Sequence, residues 1–262
     1  MEIKIGIIGG SGFYKFLKGK EMLMRTLYGS PSDKVSIFKY KDKKIAFLPR
    51  HGKKHQYPPH KINYRANLYA FKKLGVERIL APCAVGSLRP QIKPGSFVIC
   101  DQFIDRTKQR VDTFFDGQKV VHISQAEPYC PELRKIAIKS CQKLKMPFHK
   151  KGTAVVIQGP RFSTKAESEF YSKIADVINM TQYPEVALAR ELEMCYLNIS
   201  LVTDYDAGLK NRKDIEPVTA QEVVKTFQEN TEKRKEIILD IIDNIPAKRE
   251  CLCKSALKQA IL

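Results

Sequence analysis

The chain has 262 residues, 43% of them hydrophobic and 28% charged, which supplies one large core and excludes intrinsic disorder of the body. Its 46 Lys and Arg against 28 Asp and Glu give a formal charge of +18. The basic residues sit in short scattered clusters such as 41–44, without aromatic interleaving or zinc-finger spacing, so specific nucleic-acid recognition is not expected and a solvated basic surface that attracts anionic substrates is.

Residues 3–8 are a β-branched run leading into Gly9-Gly10-Ser11-Gly12, a strand that enters a loop whose backbone amides and Ser11 hydroxyl suit a phosphate. The G-x-G-x-x-G spacing is missing and no clean helix follows, which argues against a nicotinamide dinucleotide site. Because the chain enters this strand at once and has no run of membrane-spanning length, a cytoplasmic protein without a membrane partner is expected. Residues 35–40 and 45–48 flank 41–44 as a hairpin. Its second strand ends in Pro49-Arg50-His51-Gly52, where the Arg fork and the His ring are anion-seeking groups. The Pro-rich stretch that follows holds His51, His55 and His60 and reads as an active-site loop. Residues 63–71 have helical spacing.

A strand over 76–81 is predicted to give way to a small-residue loop, Pro82-Cys83-Ala84-Val85-Gly86-Ser87-Leu88. Strand character returns over 96–100 and 101–107, and 108–121 reads as a long loop with no strong chemistry. His122 follows; a lone His is more often structural than catalytic. Residues 131–144 open on Pro-Glu and form a helix. A strand over 152–157 ends in the turn Gly159-Pro160, and Arg161-Phe162-Ser163 then leads to a helix capped by Ser163 or Thr164. A short strand at 176–180 ends in Asn179-Met180-Thr181, a helix covers 184–194, and a strand over 195–202 delivers Asp204 and Asp206. Two carboxylates at a strand end fit a ligand site in an open α/β sheet; they also fit a turn and a helix cap. One long amphipathic helix is expected over 218–242. No repeat or linker is visible, so 1–245 is read as one domain and 246–262 as a basic tail.

The seven cysteines include no pair of C-x-x-C knuckles, so a metal site is not expected. Cys251-Leu252-Cys253 either closes a small, strained, exchange-prone disulfide or remains two thiols.

Strand after strand stops where Ser, Arg, His, Asn, Thr or Asp is on offer, and that convergence is the functional signal. The motifs Ile7-Ile8-Gly9-Gly10-Ser11-Gly12, Pro49-Arg50-His51-Gly52, Gly86-Ser87-Leu88-Arg89, Gly159-Pro160-Arg161-Phe162-Ser163, Asn179-Met180-Thr181 and Thr203-Asp204-Tyr205-Asp206 together resemble the purine nucleoside phosphorylase family, over residues 5–227. Within that family they are most similar to the branch that acts on 5'-methylthioadenosine.

The resemblance implies an α/β fold, a single-domain three-layer α/β/α arrangement around a mixed, partly barrel-like central sheet, assembled as a homotrimer or a dimer of trimers. It implies phosphorolysis of methylthioadenosine to adenine and 5-methylthioribose 1-phosphate, with inorganic phosphate as co-substrate and no metal or organic cofactor. The phosphate contacts it implies are Ser11, Arg50, His51, Cys83, the Ala84 amide and Thr181. For the nucleoside it implies Phe162 stacked on the purine, Ser163 in the base pocket, Asn179 and Met180 on the ribose, His55 at the rim, and His122 reaching a neighbouring subunit's site. Asp204 is expected to be the catalytic acid at N7, with Arg50 and His51 acting on the phosphate and Asp206 ordering the purine amino group.

Cys83 departs from the Thr, Ser or Asn usual in the family, and a thiol is a poor donor. Carboxylates suit the amino group of adenine, whereas an Asn amide suits a 6-oxopurine, so a phosphorylase for inosine or guanosine is the alternative. Outside enzymes the alternative is a basic nucleic-acid-binding protein.

Overall fold

In the computed structural model, which describes residues 2–10, 19–117, 119–209, 214–258 and 260–261, strand β1 (Ile3–Gly9) divides its side chains between two layers. Ile8 packs in one apolar cluster, Ile5 and Ile7 in another, because successive strand residues point to opposite faces. Strand β11 (Cys195–Asp204) repeats the division, with Tyr196 and Val202 on the first side and Leu197, Ile199 and Leu201 on the second. Helices α1 (Tyr64–Lys73) and α4 (Gln182–Glu191) cover the first cluster, α2 (Pro131–Lys143) and α6 (Thr231–Asn244) the second. The three-layer α/β/α expectation is met.

The mixed sheet runs β2 (Lys20–Met22), β3 (Val35–Tyr40), β4 (Lys43–Pro49), β1, β5 (Arg78–Ser87), β10 (Val177–Asn179), β9 (Thr153–Ile157) and β7 (Gln102–Arg106). It branches at β5, where β11 pairs in parallel and continues through β6 (Phe97–Val98) to β8 (Phe148–His149). β1 accompanies β5 only from Arg78 to Leu80, and β10 joins it at Gly86 and Ser87. Between those contacts residues 81–85 pair with β11 alone, so the sheet opens there, at a switch between neighbouring strands of the kind where ligands bind.

Two expectations are corrected. The segment Pro82 to Ser87, expected as a loop, continues strand β5. Pro82 is tolerated because β5 has already parted from β1, so the missing N–H removes no ladder bond on that edge. The long C-terminal helix is two helices, α5 (Ala220–Glu229) and α6, that meet at Asn230. Asn230 has φ −98° and ψ 18°, and its side-chain amide donates to Thr226 O at 2.9 Å, a local bond that competes with continuing the helix.

The tail packs on the body. Arg249 donates to Glu193 O at 2.7 Å, Val121 bridges to Ile261, and the His122 amide donates to Ala260 O at 2.8 Å. All seven cysteines are buried free thiols. Cys130, Cys195, Cys251 and Cys253 converge from three separate segments, with every Sγ within 4.8 Å of the others and 3.3 Å between those of Cys195 and Cys251. That contact is longer than a disulfide bond of about 2.05 Å, and shorter than the about 3.8 Å edge of a tetrahedral zinc–thiolate unit built from 2.3 Å bonds. No described helix is long and apolar enough to cross a membrane.

Candidate active site

The opening in the sheet leads into a cavity of about 1020 Å³, lined by the ends of β1, β4, β5, β10 and β11 and by one face of α5. Of the residues expected at the site, Arg50, His51, His55, Cys83, Ala84, Phe162, Asn179, Met180, Thr181, Asp204 and Asp206 all line it. Ser11 lies outside the described residues, although Gly10 beside it lines the cavity. Ser163 stands behind the wall next to Asp206. His122 is exposed and does not line the cavity of its own chain.

Arg50 follows directly from β4 and is held on all sides. Its Nε and Nη2 donate to the two oxygens of Glu185 at 2.8 Å each, Nη2 also to Ile8 O at 2.9 Å, and Nη1 to Pro82 O at 3.2 Å. His51 Nδ1 lies 2.9 Å from Tyr57 O; a carbonyl only accepts, so Nδ1 carries the hydrogen and donates it. Burial pushes the His51 pKa down to about 4, with the Arg50 charge adding to the effect, so the ring is neutral at pH 7 and Nε2 is an acceptor. It suits a protonated phosphate oxygen better than a bare one. His55, in the left-handed region at φ 55°, stacks on His51 with ring centroids 4.4 Å apart.

Cys83 is turned into a buried polar network: Asn198 Nδ2 donates to its Sγ at 3.2 Å, and Ser200 Oγ lies 3.6 Å away. Burial raises its pKa, so it remains a thiol. Asn179 Oδ1 accepts the amides of Thr181 at 2.7 Å and Gln182 at 2.8 Å, while its Nδ2 donates to Ala84 O at 2.9 Å. The side chain expected on the ribose therefore also fastens the start of α4 to β5.

Asp204 ends β11. Thr203 Oγ1 donates to its Oδ2 at 2.6 Å and the Asp206 amide to its Oδ1 at 2.8 Å. Burial raises its pKa to about 6 against those two bonds, and the neighbouring Asp206 carboxylate adds to the rise. Asp206 is held in the left-handed region at φ 49°, a conformation Asp tolerates better than most residues. Burial raises its pKa too, with Ser168 and Ser163 beside it limiting the shift. Neither Asp206 Oδ2 nor Ser163 Oγ has a direct hydrogen-bond partner among the described residues, and of the two only Asp206 lines the cavity, where a ligand can satisfy it. Phe162, 37% exposed, offers a ring at the mouth. Helix α3 (Lys165–Tyr171) behind it starts with a full capping box, Thr164 and Glu167, so of the two expected caps, Ser163 and Thr164, it is Thr164 that caps it.

Two groups lie in stretches where no chemistry was expected. Arg110, in the loop read as chemically empty, donates to the carbonyls of Met180 at 2.9 Å, Tyr183 at 2.6 Å and Gln158 at 2.8 Å, clamping two segments of the wall together. Glu185 is a fully buried carboxylate in the otherwise apolar stretch Pro184-Glu185-Val186-Ala187-Leu188-Ala189 of α4. That misplaced charge was the available signal for it.

The sequence pattern of the phosphorylase superfamily matches residues 4–243. The chain belongs to the phosphorylase superfamily. It is similar to S-methyl-5'-thioadenosine phosphorylase of Thermofilum pendens, 54% identical over 265 residues covering 100% of this chain and 99% of that one. It is also 52% identical to the protein of that name from Pyrococcus horikoshii, over 97% of this chain and 98% of that one. A methylthioadenosine phosphorylase from an antarctic soil metagenomic library superposes with a TM-score of 0.92 at 39% identity, covering 100% and 93% of the two chains. Methylthioadenosine phosphorylase of Schistosoma mansoni in complex with adenine gives 0.89 at 37% identity, covering 95% and 93%. The resemblance read from the sequence is borne out.

Proposed function

We propose that the chain catalyses phosphorolysis of S-methyl-5'-thioadenosine, with inorganic phosphate as co-substrate and no metal or organic cofactor. The observation that carries the reading is the Asp204 and Asp206 pair, sharing one cavity with Arg50, His51 and Thr181. A phosphate oxygen attacks C1' as the C1'–N9 bond breaks, the bonding electrons pass into the purine, and Asp204 delivers a proton to N7. The products are adenine and 5-methylthioribose 1-phosphate. With a pKa of about 6, Asp204 keeps roughly a tenth of its molecules protonated at pH 7, where an ordinary Asp keeps almost none. Asp206 Oδ2 has the acceptor that a 6-amino group requires.

Val223, Val224 and Phe227 of α5 line the same cavity, and an apolar wall favours a methylthio over a hydroxyl substituent. The relatives' names support the same substrate. The finer parts of the reading are a cytoplasmic homo-oligomer, in which His122 serves a neighbouring site, and thiol–disulfide exchange at Cys251 and Cys253. Base release from methylthioadenosine, adenosine and inosine, each with and without phosphate, tests the function. Phosphate-dependent adenine release is expected, fastest from methylthioadenosine. Release independent of phosphate would refute phosphorolysis, and faster release from inosine would favour the 6-oxopurine alternative.

A further inference from the structure

We propose that Glu185 and Tyr196 are positioning residues of the phosphate subsite, acting through Arg50 to aim a single N–H at the bound anion. The inference rests on the phosphorolysis reading for its kinetics, although phosphate binding tests it separately.

A guanidinium has five N–H donors. In Arg50 one on Nε, both on Nη2 and one on Nη1 are taken by Glu185, Ile8 O and Pro82 O, which leaves one donor on Nη1. Arg50 lines the cavity beside Cys83 and Ala84, so that remaining donor is the one available to an anion there. The carboxylate that fixes the fork is itself fixed. Glu185 is 0% exposed, and the Tyr196 hydroxyl donates to its Oε1 at 2.7 Å.

Glu185 lies in the first turn of α4, whose N-cap Thr181 also lines the cavity, while Tyr196 lies on β11. The triad thus ties together three of the elements that build the subsite. It also sets the electrostatics. Glu185 balances the Arg50 charge and His51 is neutral, so the anion meets directed donors in place of a free cation. A pair used only for stability could sit anywhere in the core, whereas this one lies at the cavity wall and leaves one donor over.

The test uses Glu185→Gln and Tyr196→Phe, with phosphate and nucleoside varied independently and phosphate binding to each free enzyme measured by titration calorimetry. Gln can accept at only one oxygen and presents an N–H to the guanidinium, so the KM for phosphate should rise about tenfold or more, as expected for losing a charge-assisted bond. Tyr196→Phe removes one hydroxyl and leaves the ion pair, and should raise it about threefold to fivefold. The KM for the nucleoside should change less than about twofold in both.

Equal changes in the two KM values, or an unchanged phosphate KM in folded Tyr196→Phe, would overturn the proposal even if Glu185→Gln does not fold. A wild-type enzyme that releases base without phosphate refutes the function, not this inference. In that case weaker phosphate binding by the variants still supports the positioning role, and unchanged binding rejects it.

Discussion

Gly86 and Asp204 approach so closely that a β-carbon at position 86 would stand 2.7 Å from Asp204 Oδ1. The same carbon would lie 3.0 Å from Ile178 Cγ2 and 3.2 Å from the Asp206 amide, and the carboxylate cannot retreat without straining its bonds from Thr203 Oγ1 and the Asp206 amide. Gly86→Ala should therefore displace the proton donor. Crowding of this kind costs about 1–3 kcal/mol of stability, and kcat/KM should fall by about a hundredfold, as for a misplaced catalytic group. Thermal unfolding and initial rates measure the two effects.

Asp204→Asn should trade activity for stability. A carboxyl whose folded pKa is raised is preferred by the fold in its protonated form. The stability it contributes is present below the ordinary value of 3.8 and lost as pH rises to about 6. Ionisation then costs up to roughly 3 kcal/mol at neutral pH, and a neutral amide avoids most of that cost. The variant should unfold at a higher temperature than wild type at pH 7.5, and the difference should vanish near pH 4. Its adenine release should be slowed about a hundredfold or more. Inosine should lose less, since an amide placed at N7 can also donate to the adjacent carbonyl at C6, where adenine presents only an amino donor.

The pH profile of kcat/KM should carry a limb belonging to the same group. If the acid form of Asp204 is required, the rate falls as pH rises through about 6, and this limb is absent in Asp204→Asn. Comparing the two profiles removes the titration of phosphate itself. A profile shared by both enzymes would take the acid role from Asp204.

Replacing Phe162 by Leu should raise the KM for the nucleoside by roughly tenfold, because base–aromatic stacking contributes about 1–3 kcal/mol, and leave the KM for phosphate unchanged.

Thiol counting in denaturant tests the tail. Seven reactive thiols are expected from reduced protein. Fewer should be found after equilibration with oxidised glutathione, since four sulfurs within 4.8 Å of one another are poised for exchange. Seven thiols under both conditions would remove the exchange role.

Much of this architecture was legible because periodicity records burial. The β-branched run of β1, the apolar run of β11 and the Pro-Glu opening of α2 are local features, and the elements formed where they pointed. So were the motif residues, since a strand that ends in Arg50-His51 or Asp204 announces itself in one short window. What was hidden depends on partners distant in sequence. Pro82 resembles a breaker until β5 is seen to have lost β1 on that edge. The four-sulfur cluster joins positions 130, 195, 251 and 253, so no local spacing rule detects it. Arg110 lies in a loop with little periodic pattern, and only the carbonyls of Gln158, Met180 and Tyr183 reveal its work.

Helix α5 has no buried residue, yet it turns Val223, Val224 and Phe227 to the cavity, with Val224 still 53% exposed. An apolar face exposed in this way is in contact with water until a ligand covers it. A nucleoside whose 5' group covers that face must release this water, and the event has a calorimetric mark: the enthalpy of binding should become more negative as temperature rises. A ligand with a hydroxyl in place of the methylthio group should show a shallower slope. Grip on the substrate's tail would then weaken in the cold, while the directional bonds around its purine would hardly notice.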